Sequence, residues 1–102
     1  MNTTDALLKG ILATVGRTAF PPDALNKIVA PTVGSARQVL AYNFCDGETP
    51  QAEIAKKAKL DKGNFSRTIT KWIEAGVVIR IGTDGHPLHL YPLPSKSKKE
   101  AA

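Results

Sequence analysis

The chain has 102 residues, a formal net charge of +5 and a single cysteine, Cys45, which bounds it to one small core and excludes an internal disulfide. A hydrophobic share of 42% is enough to build that core, yet no apolar run approaches the ~20 residues needed to cross a bilayer. No basic segment precedes an apolar one at the N-terminus, so no secretory signal is read, and the expected setting is the reducing cytoplasm.

Thr4-Asp5 predicts a helix cap, followed by Leu7, Leu8, Ile11, Leu12 and Val15 at helical spacing, with Gly16 as the stop. Pro22-Asp23 opens a shorter helix that turns Leu25, Ile28 and Val29 inward and ends before Pro31. Ser35 caps a third helix running through Val39, Leu40 and Phe44 to Asp46-Gly47. Cys45, beside Phe44, reads as a small buried hydrophobe; a redox sensor would want a resolving partner that the chain lacks.

From Thr49 to Tyr91 the signals run together. The Thr49 hydroxyl can cap a helix that has Pro50 at its first position and Ala52, Ile54, Ala55 and Ala58 on one side. Leu60 is an apolar plug in the turn, and Asp61 caps the next helix. That helix, about 62–75, sets Phe65, Ile69, Trp72 and Ile73 on one face and closes at Ala75-Gly76, where glycine readily takes a left-handed conformation. The shared stripe marks Trp72 as core rather than as a base-stacking platform.

After Gly76 the period changes. Val77 to Ile81 and Leu88 to Tyr91 read as two short strands around Thr83-Asp84-Gly85-His86, with a two-residue turn at Asp84-Gly85 whose central residues both need positive φ. Pro87 suits an edge strand and Pro92 ends it. His86 and His89 lie three apart in an extended arm and fall on opposite faces, so no metal site or other cofactor is expected.

Helix, turn, helix and hairpin in this order form a winged helix-turn-helix, and the fold class expected is mainly α with a small β-hairpin. The second helix opposes its apolar stripe with Lys62, Gly63, Asn64, Arg67, Thr70 and Lys71, and carries Ser66 on the flank. A major groove needs such groups: cations for guanine acceptors and phosphates, Asn for adenine, hydroxyls for either, and glycine where backbone comes close. Thr49, Gln51, Arg80, Thr83 and His86 join them as candidate DNA contacts from the first helix and the wing, about 77–91.

The chain resembles the winged-helix transcription regulators, most closely the MarR-like group. The matching residues are Ala52-Glu53-Ile54-Ala55, Phe65-Ser66-Arg67-Thr68-Ile69 and Trp72-Ile73-Glu74-Ala75-Gly76-Val77-Val78, within about half the chain. The resemblance implies a repressor-like protein that binds operator DNA as a dimer, with Arg67 and its polar neighbours in the groove.

Three parts follow. Residues 1–34 form an N-terminal helical extension whose Leu7, Leu8, Ile11, Leu12 and Val15 are assigned to a homodimer interface, intramolecular packing being the alternative. Residues 35–92 form the DNA-binding domain, and 93–102, with Lys96, Lys98 and Lys99, a basic flexible tail. Charge is spread thinly: residues 1–34 carry three basic and two acidic groups, 35–91 eight and six, and 92–102 three and one. With roughly three to five phosphate contacts per chain, binding by one copy is weak and salt-sensitive, and two copies on one operator repair this.

The leading expectation is a dimeric, sequence-specific regulator of transcription acting on double-stranded DNA. The rivals are a winged-helix module that binds another protein and a replication or partition factor. No nucleophile elbow, phosphate-cradling glycine loop or metal-ligand cluster is present in the sequence, so no enzyme is expected.

Overall fold

The computed structural model describes residues 3–31 and 36–94. Within them lie α1 (Thr3–Ala19), α2 (Pro22–Val29), α3 (Ala36–Asn43), α4 (Gln51–Lys57), α5 (Lys62–Ala75), β1 (Val78–Ile81) and β2 (His86–His89). The class is the one expected, mainly helical with one antiparallel hairpin.

The core gathers behind α5. Phe65, Ile69 and Trp72 are buried against Tyr42 of α3 and Ile54 and Ala55 of α4. Trp72 meets Tyr42 and Phe65 edge-on, with ring centroids 5.6 and 5.9 Å apart, the geometry that aligns the positive ring edge with a neighbouring face. Leu25 and Val29 are buried in the same cluster, so α2, grouped with the extension by sequence, is part of the domain core; a chain this short gains burial by recruiting it.

Local signals set α5 cleanly. The Asp61 carboxylate accepts from the Asn64 N–H at 2.9 Å, and Gly76, at φ 86°, ends the helix. There the Val77 N–H reaches the Trp72 carbonyl and the Gly76 N–H that of Ile73, both at 3.0 Å, which satisfies two carbonyls the helix end leaves orphaned.

Several elements differ from expectation. α1 runs through Gly16 to Ala19 instead of stopping there. The glycine serves close packing: a Cβ at position 16 would lie 2.9 Å from that of Leu90. Thr49 does not cap α4, whose N-cap is Pro50, because the Thr49 hydroxyl donates to Asp46 Oδ2 at 3.1 Å in a turn that also takes the backbone N–H groups of Glu48 and Thr49. Asp side chains compete for nearby backbone donors in this way. Ala52 and Leu40, expected inside, are exposed.

The hairpin loop has four residues, Gly82 to Gly85, since Ile81 pairs with His86. Glycines at both ends take positive φ, 73° and 66°, and Asp84 does not, so a two-residue turn at Asp84-Gly85 is replaced and β2 begins at His86. Four-residue loops of this kind are built on ordinary turns. Nor is β2 an edge: the Gly47 N–H donates to Pro87 O and the His89 N–H to Cys45 O, both at 2.8 Å. Pro87 therefore turns its donorless nitrogen toward the short Cys45–Gly47 segment, where the ladder is slightest.

Position 93, placed in the tail by sequence, belongs to the packed domain. Leu93 is buried, and its carbonyl and N–H are both held by the Asn43 amide at 2.8 Å. Ser35, Lys96, Lys98 and Lys99 lie outside the described residues.

Candidate nucleic-acid interface

One side of α5 is bare. Lys62, Gly63, Asn64, Ser66, Arg67, Thr70 and Lys71 are all exposed, while Phe65, Ile69 and Trp72 on the opposite side are at most 2% exposed. The helix is clamped from behind by aromatic contacts, so its outward side chains ride on a fixed axis. The Arg67 Nη2 donates to Asn64 Oδ1 one turn back, and the Thr70 hydroxyl donates to the Ser66 carbonyl at 2.9 Å. Gly63 leaves room for the cap, since a Cβ there would stand 3.3 Å from Asp61 Oδ2.

The turn into α5 is tight. Lys59 takes a left-handed φ of 58°, Leu60 is half-buried as the expected plug, and the Leu60 N–H reaches Ala55 O at 2.9 Å. This brings α4 under α5 with Lys56, Lys57 and Lys59 exposed at its end.

The remaining candidates divide. Arg80 is exposed but tied: its Nη2 donates to Gln51 Oε1 at 2.9 Å and its Nη1 to Gly85 O at 3.1 Å. Thr83 is exposed at the loop, and His86, Gln51 and Thr49 are half-buried, the last with its hydroxyl engaged by Asp46. The structure thus brings the α5 residues together on one face, links Arg80 to Gln51, and leaves Thr49 the least available of the set.

Position 38 was not legible in the sequence. Gln38 of α3 lines a cleft with Asn64, Arg67, Thr68 and Lys71, and its Oε1 is buried with no hydrogen-bond partner among the described residues. Spacing along α3 cannot say which of its polar side chains lies beside α5, so no signal pointed to it.

The titratable groups behind the site are structural. Burial pushes the Cys45 thiol up to about 12, helped by the nearby Asp46 charge, which keeps it protonated and inert. His89 is pushed below its ordinary range by burial, partly offset by the Tyr42 carbonyl 3.0 Å from its Nδ1. Burial alone raises the Asp46 carboxyl, but hydrogen bonds from Glu48 and Thr49 outweigh it and the group is held below its usual range. Among the described residues no three metal-ligating side chains cluster, and no helix is long and apolar enough to cross a membrane.

α1 is bound on one side only. Gly16 lies under Leu90, the Arg17 guanidinium stands 4.7 Å from the Tyr91 ring centroid, and the Tyr91 hydroxyl donates to Phe20 O at 2.6 Å. Lys9 Nζ donates to Asp46 O at 2.8 Å. Leu12 packs on the core, unlike Leu7, Leu8, Ile11 and Val15, which are 63, 59, 60 and 60% exposed. Leu8, Ile11 and Val15 share an apolar cleft of about 590 Å³ with Ile79, Ile81 and Leu88 of the hairpin. Compared with protein-family models, curated proteins and solved structures, the chain matches none.

Proposed function

We propose that this chain is a sequence-specific, double-stranded DNA-binding regulator of transcription that acts as a dimer, α5 entering the major groove and the hairpin lying along the flanking backbone. One observation carries the reading: every polar side chain chosen for the groove on α5 is exposed, against an aromatic stripe that is buried. A protruding helix with Lys62, Arg67 and Lys71 on its free side supplies both phosphate attraction and donors for base edges.

The dimer is supported by α1. Leu7, Leu8, Ile11 and Val15, each about three-fifths exposed, set four aliphatic side chains together on one face of the helix, the kind of contiguous apolar surface that marks an interaction site. Leu12, assigned with them by sequence, packs on the core and also borders the cleft beside them. Two copies double the few cationic contacts of one, which single-chain binding needs at physiological salt.

The test is duplex binding with fragments recovered from a genome-wide selection. Arg67→Ala is expected to weaken the selected duplex by about 1 to 3 kcal/mol with the thermal unfolding curve unchanged. Unaltered affinity would take Arg67 out of the groove, and no binding to any duplex at low salt would overturn the proposal and leave a protein-binding winged module.

A further inference from the structure

Resting on the reading of α5 as the groove helix, we propose that Arg67 reads a guanine and that Asn64 is its positioning residue, not an independent reader of adenine. An asparagine reads adenine with both ends of its amide, Oδ1 accepting from the base amino group and Nδ2 donating to the ring nitrogen. Here Oδ1 already accepts from the Arg67 guanidinium, and this charge-assisted bond, stronger than one from a neutral amino group, turns the amide toward Arg67. The backbone of Asn64 is fixed as well, since its N–H is held by Asp61. The pair sits at i and i+3, the helical spacing at which side chains meet.

What the pair shows to a ligand is chiefly donors. Arg67 spends one N–H on Asn64 and keeps the rest of its planar fork, and Asn64 keeps its Nδ2. Lys62 and Lys71 flank them with further donors. The neighbouring Asp61 carboxylate holds the helix cap through its Oδ2. Thr70 has given its hydroxyl proton to the Ser66 carbonyl and adds only a lone pair and a methyl. A base edge with two acceptors fits the free fork of Arg67, and in the major groove that edge is guanine, with its six-oxygen and seven-nitrogen.

The experiment is selection from duplexes randomised over about ten base pairs, with the full chain, Arg67→Ala and Asn64→Ala in parallel. Both residues are exposed, and circular dichroism checks that each variant folds. The position whose preference Arg67→Ala erases is expected to be guanine, favoured over adenine by about 5- to 150-fold in the parent. Asn64→Ala is expected to blur that same position, and Asn64→Asp, which still accepts from the guanidinium, to restore it. Loss under Asn64→Ala of a separate adenine, with the guanine left sharp, would overturn the inference while DNA reading stands. So would a selected motif that Arg67→Ala leaves intact. Failure to enrich any motif would strike the reading of α5 itself.

Discussion

Arg80 on β1 hydrogen-bonds Gln51 at the start of α4 across 29 residues of sequence, and its other terminal nitrogen holds the Gly85 carbonyl. One exposed side chain therefore ties the hairpin loop to the first helix of the helix-turn-helix. Charged hydrogen bonds at such a site contribute little to stability, about 0 to 1 kcal/mol, and under the proposed function they would orient the hairpin toward a flanking backbone.

Arg80→Ala is expected to leave the unfolding midpoint nearly unchanged and to weaken DNA binding by a similar factor for all sequences, with the salt slope falling by about one. Gln51→Ala, which removes the tie and keeps the charge, should lower affinity less and leave the slope alone. Titrations of one duplex at several salt concentrations separate the two. Equal slopes in all three proteins would show that Arg80 does not touch phosphate.

The two glycines of α1 make opposite predictions. A methyl on Gly16 would meet Leu90 Cβ at 2.9 Å, and overpacking there, about 1 to 3 kcal/mol, outweighs the roughly 0.5 to 1 kcal/mol that alanine gains in a helix. A methyl on Gly10 meets nothing within 4 Å, so only the helix gain remains. Gly16→Ala should therefore lower the urea midpoint and Gly10→Ala raise it. A common direction for both would refute the packing of α1 on Leu90.

What the sequence made legible and what it hid follow from the range of the interactions. The two faces of α5 were readable because the Asp61 cap, the Phe65-Ile69-Trp72 stripe and the Gly76 stop are all set within a few residues. Gly16 was misread as a stop because the reason for it, Leu90, comes from the far end of the chain. Thr49 was misread as a cap because Asp46 captures its hydroxyl first. In the hairpin, the Asp84-Gly85 signal was real but weaker than a glycine at each end of the loop. Among candidate site residues, the exposure of the α5 set followed from periodicity, whereas the Arg80–Gln51 tie and the buried Gln38 oxygen depend on tertiary placement.

The α1 face tests the dimer. Ile11 is 60% exposed near the middle of that face, so Ile11→Glu costs the fold little while placing a charge where a second copy would bury it. Sedimentation is expected to show a dimer for the parent and a monomer for the variant, with the helical signal of both alike. Affinity for a two-half-site duplex should fall at the same time, and affinity for a single half-site should not. A parent chain that sediments as a monomer at all concentrations would end the dimer proposal.

His89 gives the chain a pH response distinct from its acids. Its folded-state affinity for a proton is lowered by burial against Tyr42, whose ring centroid lies 5.3 Å away. The unfolded chain, with an ordinary histidine near 6.5, then binds more protons than the native one as pH falls through that value, and stability drops with falling pH until the folded-state value is reached. Above the ordinary value both states are neutral and the group contributes no slope. Asp46 acts lower: its carboxyl is held below the usual 3.8, so its contribution is present above that pH and is lost as pH falls through the folded value. Urea midpoints between pH 7.5 and 5 should therefore decline in the parent, about ten-fold in unfolding constant per pH unit at most for one proton. His89→Gln, whose amide can still donate to the Tyr42 carbonyl, should flatten that part of the curve and leave the fall below pH 4 in place. An identical decline in the variant would assign the response to another group.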